Sequence, residues 1–154
     1  MQWISLIGWI WICFTVASIS GSWTASEVLG WYRTLHRPSI APPNWVFGPV
    51  WTLLYAMMAI AAWLVWESPT SPLRTWGLSL FLVQLILNCA WAFIFFRHHA
   101  IGAALAEVVA LWAAIGATTL VFGKVSPAAA WLMAPYWAWV TFAAVLNAAF
   151  WRLN

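Results

Sequence analysis

Five long apolar runs divide the 154-residue chain. A transmembrane helix needs about 20 consecutive apolar residues, and each run is close to or above this length. The predicted helices span residues 3–21, 44–66, 73–96, 100–122 and 128–150. The pattern therefore predicts an all-α membrane protein. A single domain of residues 1–154 would form a five-transmembrane-helix bundle with a long loop between helices 1 and 2. We find no internal repeat of the kind that many transporters carry.

The composition agrees with this pattern and excludes a soluble domain. Hydrophobic residues make up 66% of the chain and charged residues only 6%, whereas a soluble domain carries about 25% charged residues. The six basic and three acidic side chains are too few and too scattered for a nucleic-acid interface. Cys13 and Cys89 lie inside apolar runs, where we expect them to pack as small hydrophobic side chains.

The topology is predicted from the basic residues at the ends of the runs. No Lys or Arg precedes the first run. Since a secretory signal begins with a basic segment, this run is interpreted as an uncleaved helix. Arg33, Arg37, Arg97 and Arg152 are predicted on one side of the membrane, and Arg74 and Lys124 on the other. Because basic residues favour the cytoplasmic side, the N-terminus is predicted outside, with the first loop and the C-terminus in the cytoplasm.

The first connection, predicted at residues 22–43, is the only long one. A long ordered loop in a compact protein is usually functional. We expect Asn44 to cap the second helix and Pro49 to bend or delay its first turns.

Three of the predicted helices carry polar or large aromatic residues on one face, at the spacing of a helical turn. These stripes either form interhelical hydrogen bonds or wall a ligand pocket, and both alternatives stay open. They consist of Trp51, Thr52 and Tyr55 on the second helix, Gln84, Asn88 and Trp91 on the third, and Tyr136, Trp139, Ala143 and Asn147 on the fifth.

The fourth predicted helix has two further features. Glu107 is the only acidic residue within a predicted span. In a structural role, its carboxylate extends to the membrane interface or bonds to a neighbouring hydroxyl. In a functional role, it contacts a ligand or a proton. Small residues recur every fourth position, and they serve either packing within the bundle or a dimer. They are Gly102, Ala106, Ala110, Ala114 and Thr118.

No predicted span contains a histidine, so a bis-histidine haem site is not indicated. The sequence shows no metal-ligand spacing and no Ser/His/acid arrangement. We therefore predict no metal site, no obligatory cofactor and no catalytic residue of the hydrolytic or metal-dependent kind.

The segment between residues 31 and 55 resembles the signature of the TspO family, the translocator proteins or tryptophan-rich sensory proteins. The resemblance rests on Trp31, Tyr32, Leu35, Pro38, Pro42, Pro43, Trp45, Val46, Phe47, Pro49, Val50, Trp51, Thr52, Leu54 and Tyr55. It continues through Asn88, Trp91, Glu107, Trp131, Pro135, Tyr136, Trp139, Ala143, Leu146, Asn147 and Arg152, and so covers nearly the whole chain.

The resemblance implies five tilted helices around one pocket, which the first loop covers. Family members bind porphyrins such as protoporphyrin IX and benzodiazepine-type ligands, some bind cholesterol, and they are commonly dimers. By position, the ligand-binding residues would be Trp31, Tyr32, Pro42, Trp51, Asn88, Trp91, Trp139, Ala143 and Asn147. The family's sterol motif is incomplete, because Leu146 and Arg152 are present but Ala148 occupies the tyrosine position.

The leading functional hypothesis is a membrane sensor that binds a porphyrin, or another hydrophobic small molecule, as a homodimer in lipid. Arg33, His36 or Arg37 would then contact the propionates. The second hypothesis is light-dependent degradation of the bound porphyrin, with Trp51 or Trp139 as electron donor. The third is a transporter or scaffold for tetrapyrroles or sterols.

Overall fold

The computed structural model describes residues 2–154, and all regular secondary structure in that range is helical. The five long helices are α1 (Gln2–Val28), α2 (Phe47–Glu67), α3 (Pro72–Ala92), α4 (Ile101–Val125) and α5 (Pro127–Leu153). Short 3₁₀ turns at Trp31–Thr34 and Asn44–Val46 lie in the first loop and before α2, and a π-helical turn, Phe93–Arg97, extends α3. All five long helices are apolar and long enough to cross a membrane, which confirms the predicted fold class.

Helix α1 continues past Gly21 to Val28, so the prediction that the first loop starts at residue 22 was wrong. The hydroxyls of Ser22 and Ser26 donate to main-chain carbonyls three residues earlier in the helix, over 2.7 and 2.9 Å. These local bonds satisfy polar side chains within the helix. The first loop is therefore shorter than predicted and covers residues 29–43.

The start of α2 also differs from the prediction. Asn44 lies inside the 3₁₀ turn after Pro43, and no side-chain hydrogen bond caps this turn or α2. The expected Asn44 cap is thus wrong. Regular α-helical structure begins only at Phe47, so Pro49 stands in the first turn of α2, where its missing N–H leaves no hydrogen bond broken.

Helix α4 packs against both α3 and α5, whereas α1 packs against α2 and α3, and α2 against α5. The small residues of α4 are divided between two environments. Gly102 packs so closely on the indole of Trp151 that a Cβ would lie 2.9 Å from its nitrogen. Thr118 is buried, whereas Ala106 and Ala110 are exposed. Packing within the bundle therefore accounts for the ends of this ridge, whereas its exposed middle has no such contact, and the dimer stays a prediction.

The two cysteines are free, and Cys13 is buried while Cys89 is partly buried. Two groups of buried side chains form the core. The smaller group lies near the first loop and includes Tyr32, Phe95, Phe96 and Phe150. It gives the loop an apolar base.

Candidate functional site

A cavity of about 560 Å³ lies among α1, α2, α3 and α5. Residues 28 and 150 of α1 and α5, together with Tyr32 of the first loop, border one end of it. Most lining side chains are apolar or aromatic, and none of the lining residues is charged. The volume and the few polar groups are typical of sites for small hydrophobic ligands.

Seven of the nine residues predicted to bind ligand line this cavity. They come from the first loop and from three helices, and they are Tyr32, Trp51, Asn88, Trp91, Trp139, Ala143 and Asn147. The aromatic rings of Trp51 on α2, Trp91 on α3 and Trp139 on α5 thus face the same space. A flat apolar molecule in this space would meet indole rings from three helices.

The other two predicted residues, Trp31 and Pro42, are not among the lining residues. The Trp31 ring stacks on His99 with a centroid distance of 4.1 Å, and the imidazole of His99 contacts Glu27 at 3.1 Å. The carbonyl of Pro42 accepts a 2.9 Å hydrogen bond from the Arg37 guanidinium. Both residues therefore shape the first loop.

A buried chain of hydrogen bonds joins three helices at one wall of the cavity. The Tyr55 hydroxyl donates to the Asn88 carbonyl oxygen over 2.5 Å. The Asn88 amide donates to the Tyr136 hydroxyl over 2.9 Å, and Tyr136 donates to Gln84 over 2.8 Å. Interhelical bonding thus explains Gln84 and Tyr136, which do not line the cavity. Asn88 has two roles, because it bonds to both tyrosines and also borders the cavity.

A second polar contact connects α3, α4 and α5. The Trp91 indole donates to the Asn147 carbonyl oxygen over 3.0 Å, and the Asn147 amide donates to the backbone carbonyl of Ile101 over 2.9 Å. These bonds fix the orientation of the Trp91 ring beside the cavity. Its indole N–H is already paired, so Trp91 offers a ligand its ring rather than a hydrogen bond.

The three loop residues proposed for propionates, Arg33, His36 and Arg37, are exposed and do not line the cavity. The guanidinium carbon of Arg37 lies 5.6 Å from the ring centre of Tyr32, which is a lining residue. Burial raises the pKa of the Tyr32 hydroxyl, and the positive charge of Arg37 partly opposes this shift. Arg37 therefore places a positive charge beside a residue that lines the cavity.

Two hydrogen bonds between the backbone of His36 and the side chain of Asn154 attach the first loop to the bundle. The His36 N–H donates to the Asn154 side-chain oxygen over 2.8 Å, and the Asn154 amide donates to the His36 carbonyl over 3.2 Å. The loop is thus attached to the end of α5. The stacking of Trp31 on His99, whose imidazole contacts Glu27, is a further contact of the loop with the bundle.

Glu107 has neither of the two structural roles expected for it, which were contact with the interface and a hydrogen bond to a neighbouring hydroxyl. Both carboxylate oxygens are buried and make no hydrogen bond within residues 2–154, so Glu107 neither reaches the interface nor bonds a hydroxyl. It is not among the cavity-lining residues.

Sequence reasoning missed the contribution of α1, which provides Phe14, Ala17, Ser18, Ser20, Gly21, Thr24, Ala25 and Val28. The first apolar run has no polar stripe that marks one face, and the family signature begins only after it. The Ser20 hydroxyl of this missed lining lies beside that of Tyr55.

Comparison with known protein sequences identifies the family of this chain. The profile of the TspO/MBR family matches residues 9–152. The Homo sapiens translocator protein is 39% identical over 159 aligned residues, which cover 99% of this chain and 91% of that protein. The tryptophan-rich protein TspO of Chlorobaculum tepidum is 37% identical, and the alignment covers 93% of this chain and 91% of that protein. The tryptophan-rich protein TspO of Archaeoglobus fulgidus is 34% identical, and the alignment covers 100% of this chain and 99% of that protein. With its five membrane-spanning helices and a family match across almost its whole length, this chain belongs to the TspO/MBR family.

Proposed function

We propose that this protein is a membrane receptor or sensor that binds porphyrins of the protoporphyrin IX class and benzodiazepine-type ligands in the cavity, beneath the first loop. The observation that carries the proposal is the aromatic wall formed by Trp51, Trp91 and Trp139 around about 560 Å³. Indole rings bury a large apolar area and favour offset or edge contacts with other flat rings.

The charge distribution gives a porphyrin one orientation. Its propionates are anionic, and burying a carboxylate without a charged partner is costly. Because the lining residues carry no charge, the propionates belong at the first loop. There Arg37 lies beside Tyr32, and we assign it as their partner in preference to Arg33 and His36. The apolar edge of the ring then points toward Tyr55 and Asn88.

Tryptophan fluorescence tests the proposal directly. Protoporphyrin IX should quench the emission of the purified protein in a saturable way at micromolar concentration. Trp51→Phe should weaken the affinity, because it removes part of the aromatic wall. Trp76→Phe is the matched control, since Trp76 lies in the first turns of α3 and is 68% exposed. Unsaturable quenching by the folded parent protein would contradict the proposal.

A second candidate function is light-dependent breakdown of the bound porphyrin. It is favoured by the position of both proposed electron donors, Trp51 and Trp139, in the cavity wall. The excited porphyrin would take an electron from an indole and pass it to dissolved oxygen, and the reduced oxygen would then attack and open the porphyrin ring. Illumination of the complex should convert the Soret band to a bilin-like spectrum more slowly in Trp51→Phe and Trp139→Phe than in the parent. If the porphyrin is converted at the same rate in the presence of an unrelated membrane protein, this protein binds the porphyrin but does not degrade it.

A further inference from the structure

The wall of the cavity is incomplete on one side, between the last turns of α1 and the first turns of α2. Every lining residue from α3 and α5 is buried or half-buried. The exposed lining residues come only from α1 and α2, and all of them have small side chains. They are Ser18, Gly21, Ala25, Gly48 and Thr52. The cavity therefore has a side opening between these two helices.

Gly21 of α1 and Gly48 of α2 border this side opening from its two sides. A Cβ built on either glycine would meet no atom of another element within 4 Å. The opposite ends of the same helices are joined, because the Ser5 hydroxyl donates to the Glu67 carboxylate over 2.6 Å. The hydroxyls in the last two turns of α1 bond only within their own helix. The gap is thus restricted to the helix ends next to the first loop.

The depth of the side opening follows from the helix lengths. Helix α1 has 27 residues and is about 40 Å long, whereas the hydrocarbon core of a bilayer is about 30 Å thick. Ser18 lies about 15 Å before the end of α1, and Gly48 and Thr52 lie in the first two turns of α2. Because both helices span the membrane, the opening reaches from the headgroup level into the lipid chains.

This position suits a molecule that is apolar along one edge and anionic along the other. A porphyrin in a bilayer keeps its ring among the lipid chains and its propionates at the headgroups, since a carboxylate is costly in hydrocarbon. Sideways movement through the opening would keep the propionates at the level of the first loop, where Arg37 lies beside Tyr32. No charged group would cross the hydrocarbon core.

Entry from water past the first loop would instead require contacts to break. The loop is bonded to Asn154 through the backbone of His36, and Trp31 stacks on His99 with a centroid distance of 4.1 Å. The side opening exists while all of these contacts are in place. We propose that the ligand enters and leaves the cavity from the lipid bilayer, through the side opening between α1 and α2, an inference that rests on the proposed function.

Leucine at either glycine would obstruct this path. Gly21→Leu and Gly48→Leu have room for the new side chain and replace a poor helix former with a better one. Both the association and the dissociation rate of protoporphyrin IX should fall, by about fivefold or more, because an obstacle in the path raises the barrier in both directions. Gly8→Leu is the matched control, since Gly8 is exposed on α1, has equally open space and does not line the cavity. Its rates should equal those of the parent.

The rates are measured in phosphatidylcholine proteoliposomes from tryptophan quenching after protoporphyrin IX is added, and from its recovery after an excess of a benzodiazepine-type competitor. Asn154→Ala, which releases the first loop from α5, should exchange protoporphyrin IX at the rate of the parent.

Parent-like rates in both leucine variants would overturn the proposal. A dissociation rate that rises would also overturn it, because it would show a weakened site rather than an obstructed path. Faster exchange in Asn154→Ala would assign the path to the loop. These outcomes leave the proposed function intact, whereas a parent that binds no protoporphyrin IX would contradict both.

Discussion

The side-chain amide of Asn88 donates a hydrogen bond to the Tyr136 hydroxyl over 2.9 Å and so joins α3 to α5. Tyr136 is fully buried, and Asn88 is 4% exposed. In a membrane, such a bond cannot be exchanged for one to water. The pair is therefore the centre of the polar contacts that hold the helices around the cavity.

Replacing Asn88 with leucine should destabilise the fold. The Tyr55 hydroxyl would lose its acceptor and Tyr136 its donor, which should cost about 1–2 kcal/mol. Thermal unfolding in detergent measures the effect. Ser79→Ala is the control, since Ser79 is exposed on the same helix and its hydroxyl bonds only the backbone of Thr75. Equal stability of the parent and Asn88→Leu would show that other contacts determine the packing of α3 against α5.

Two glycines, one closely packed and one with open space beside it, test how tightly the helices pack. A Cβ on Gly116 would lie 2.7 Å from the ring of Trp137, whereas a Cβ on Gly8 would meet no atom within 4 Å. Alanine is the better helix former by about 1 kcal/mol. Overpacking costs about 1–3 kcal/mol, so Gly116→Ala should be neutral to destabilising.

Gly8→Ala should keep the full gain in helix stability. The measurement is the difference between the two variants in unfolding free energy, in the same detergent. A more stable Gly116→Ala would mean that Trp137 moves aside without cost.

The number and position of the helices were predictable because the bilayer requires long apolar runs. The end of α1 was not, because a polar segment continues a helix when its hydroxyls bond the backbone, as those of Ser22 and Ser26 do. The stripes on α2, α3 and α5 predicted most of the cavity wall. The polar residues of helix α1 are spread around its circumference, so its sequence does not show which face turns inward. The side opening between α1 and α2 became visible only in three dimensions.

The family signature also combined two roles that sequence alone does not separate. Tyr32 and Trp51 line the cavity, whereas Trp31 and Pro42 contact residues outside its lining and shape the first loop. A pattern of prolines and tryptophans specifies the loop and the pocket together. Only the contacts assign each residue to one of them.

The membrane orientation stays a prediction, and labelling of single cysteines would test it. In a background with Cys13 and Cys89 replaced by alanine, Ser39→Cys places a thiol in the first loop, and Thr70→Cys places one between α2 and α3. Both positions are exposed and lie at opposite ends of the bundle. In intact cells, an impermeant thiol reagent should modify Thr70→Cys and spare Ser39→Cys. The reverse pattern would place the first loop outside.

Ala143 lines the cavity between Trp139 and Asn147, which lie one helical turn before and after it on α5. Threonine at this position adds a branched side chain and a hydroxyl, which overpack the wall at a cost of about 1–3 kcal/mol. Part of this strain arises only when the cavity is filled, so Ala143→Thr should bind protoporphyrin IX more weakly while its helical content is unchanged. Ala128→Thr is the control, because Ala128 is exposed in the first turn of the same helix. Fluorescence titration and circular dichroism together make the measurement. If Ala143→Thr binds as tightly as the parent, the ligand does not contact this face of α5, and the α5 side of the cavity is not part of the binding site.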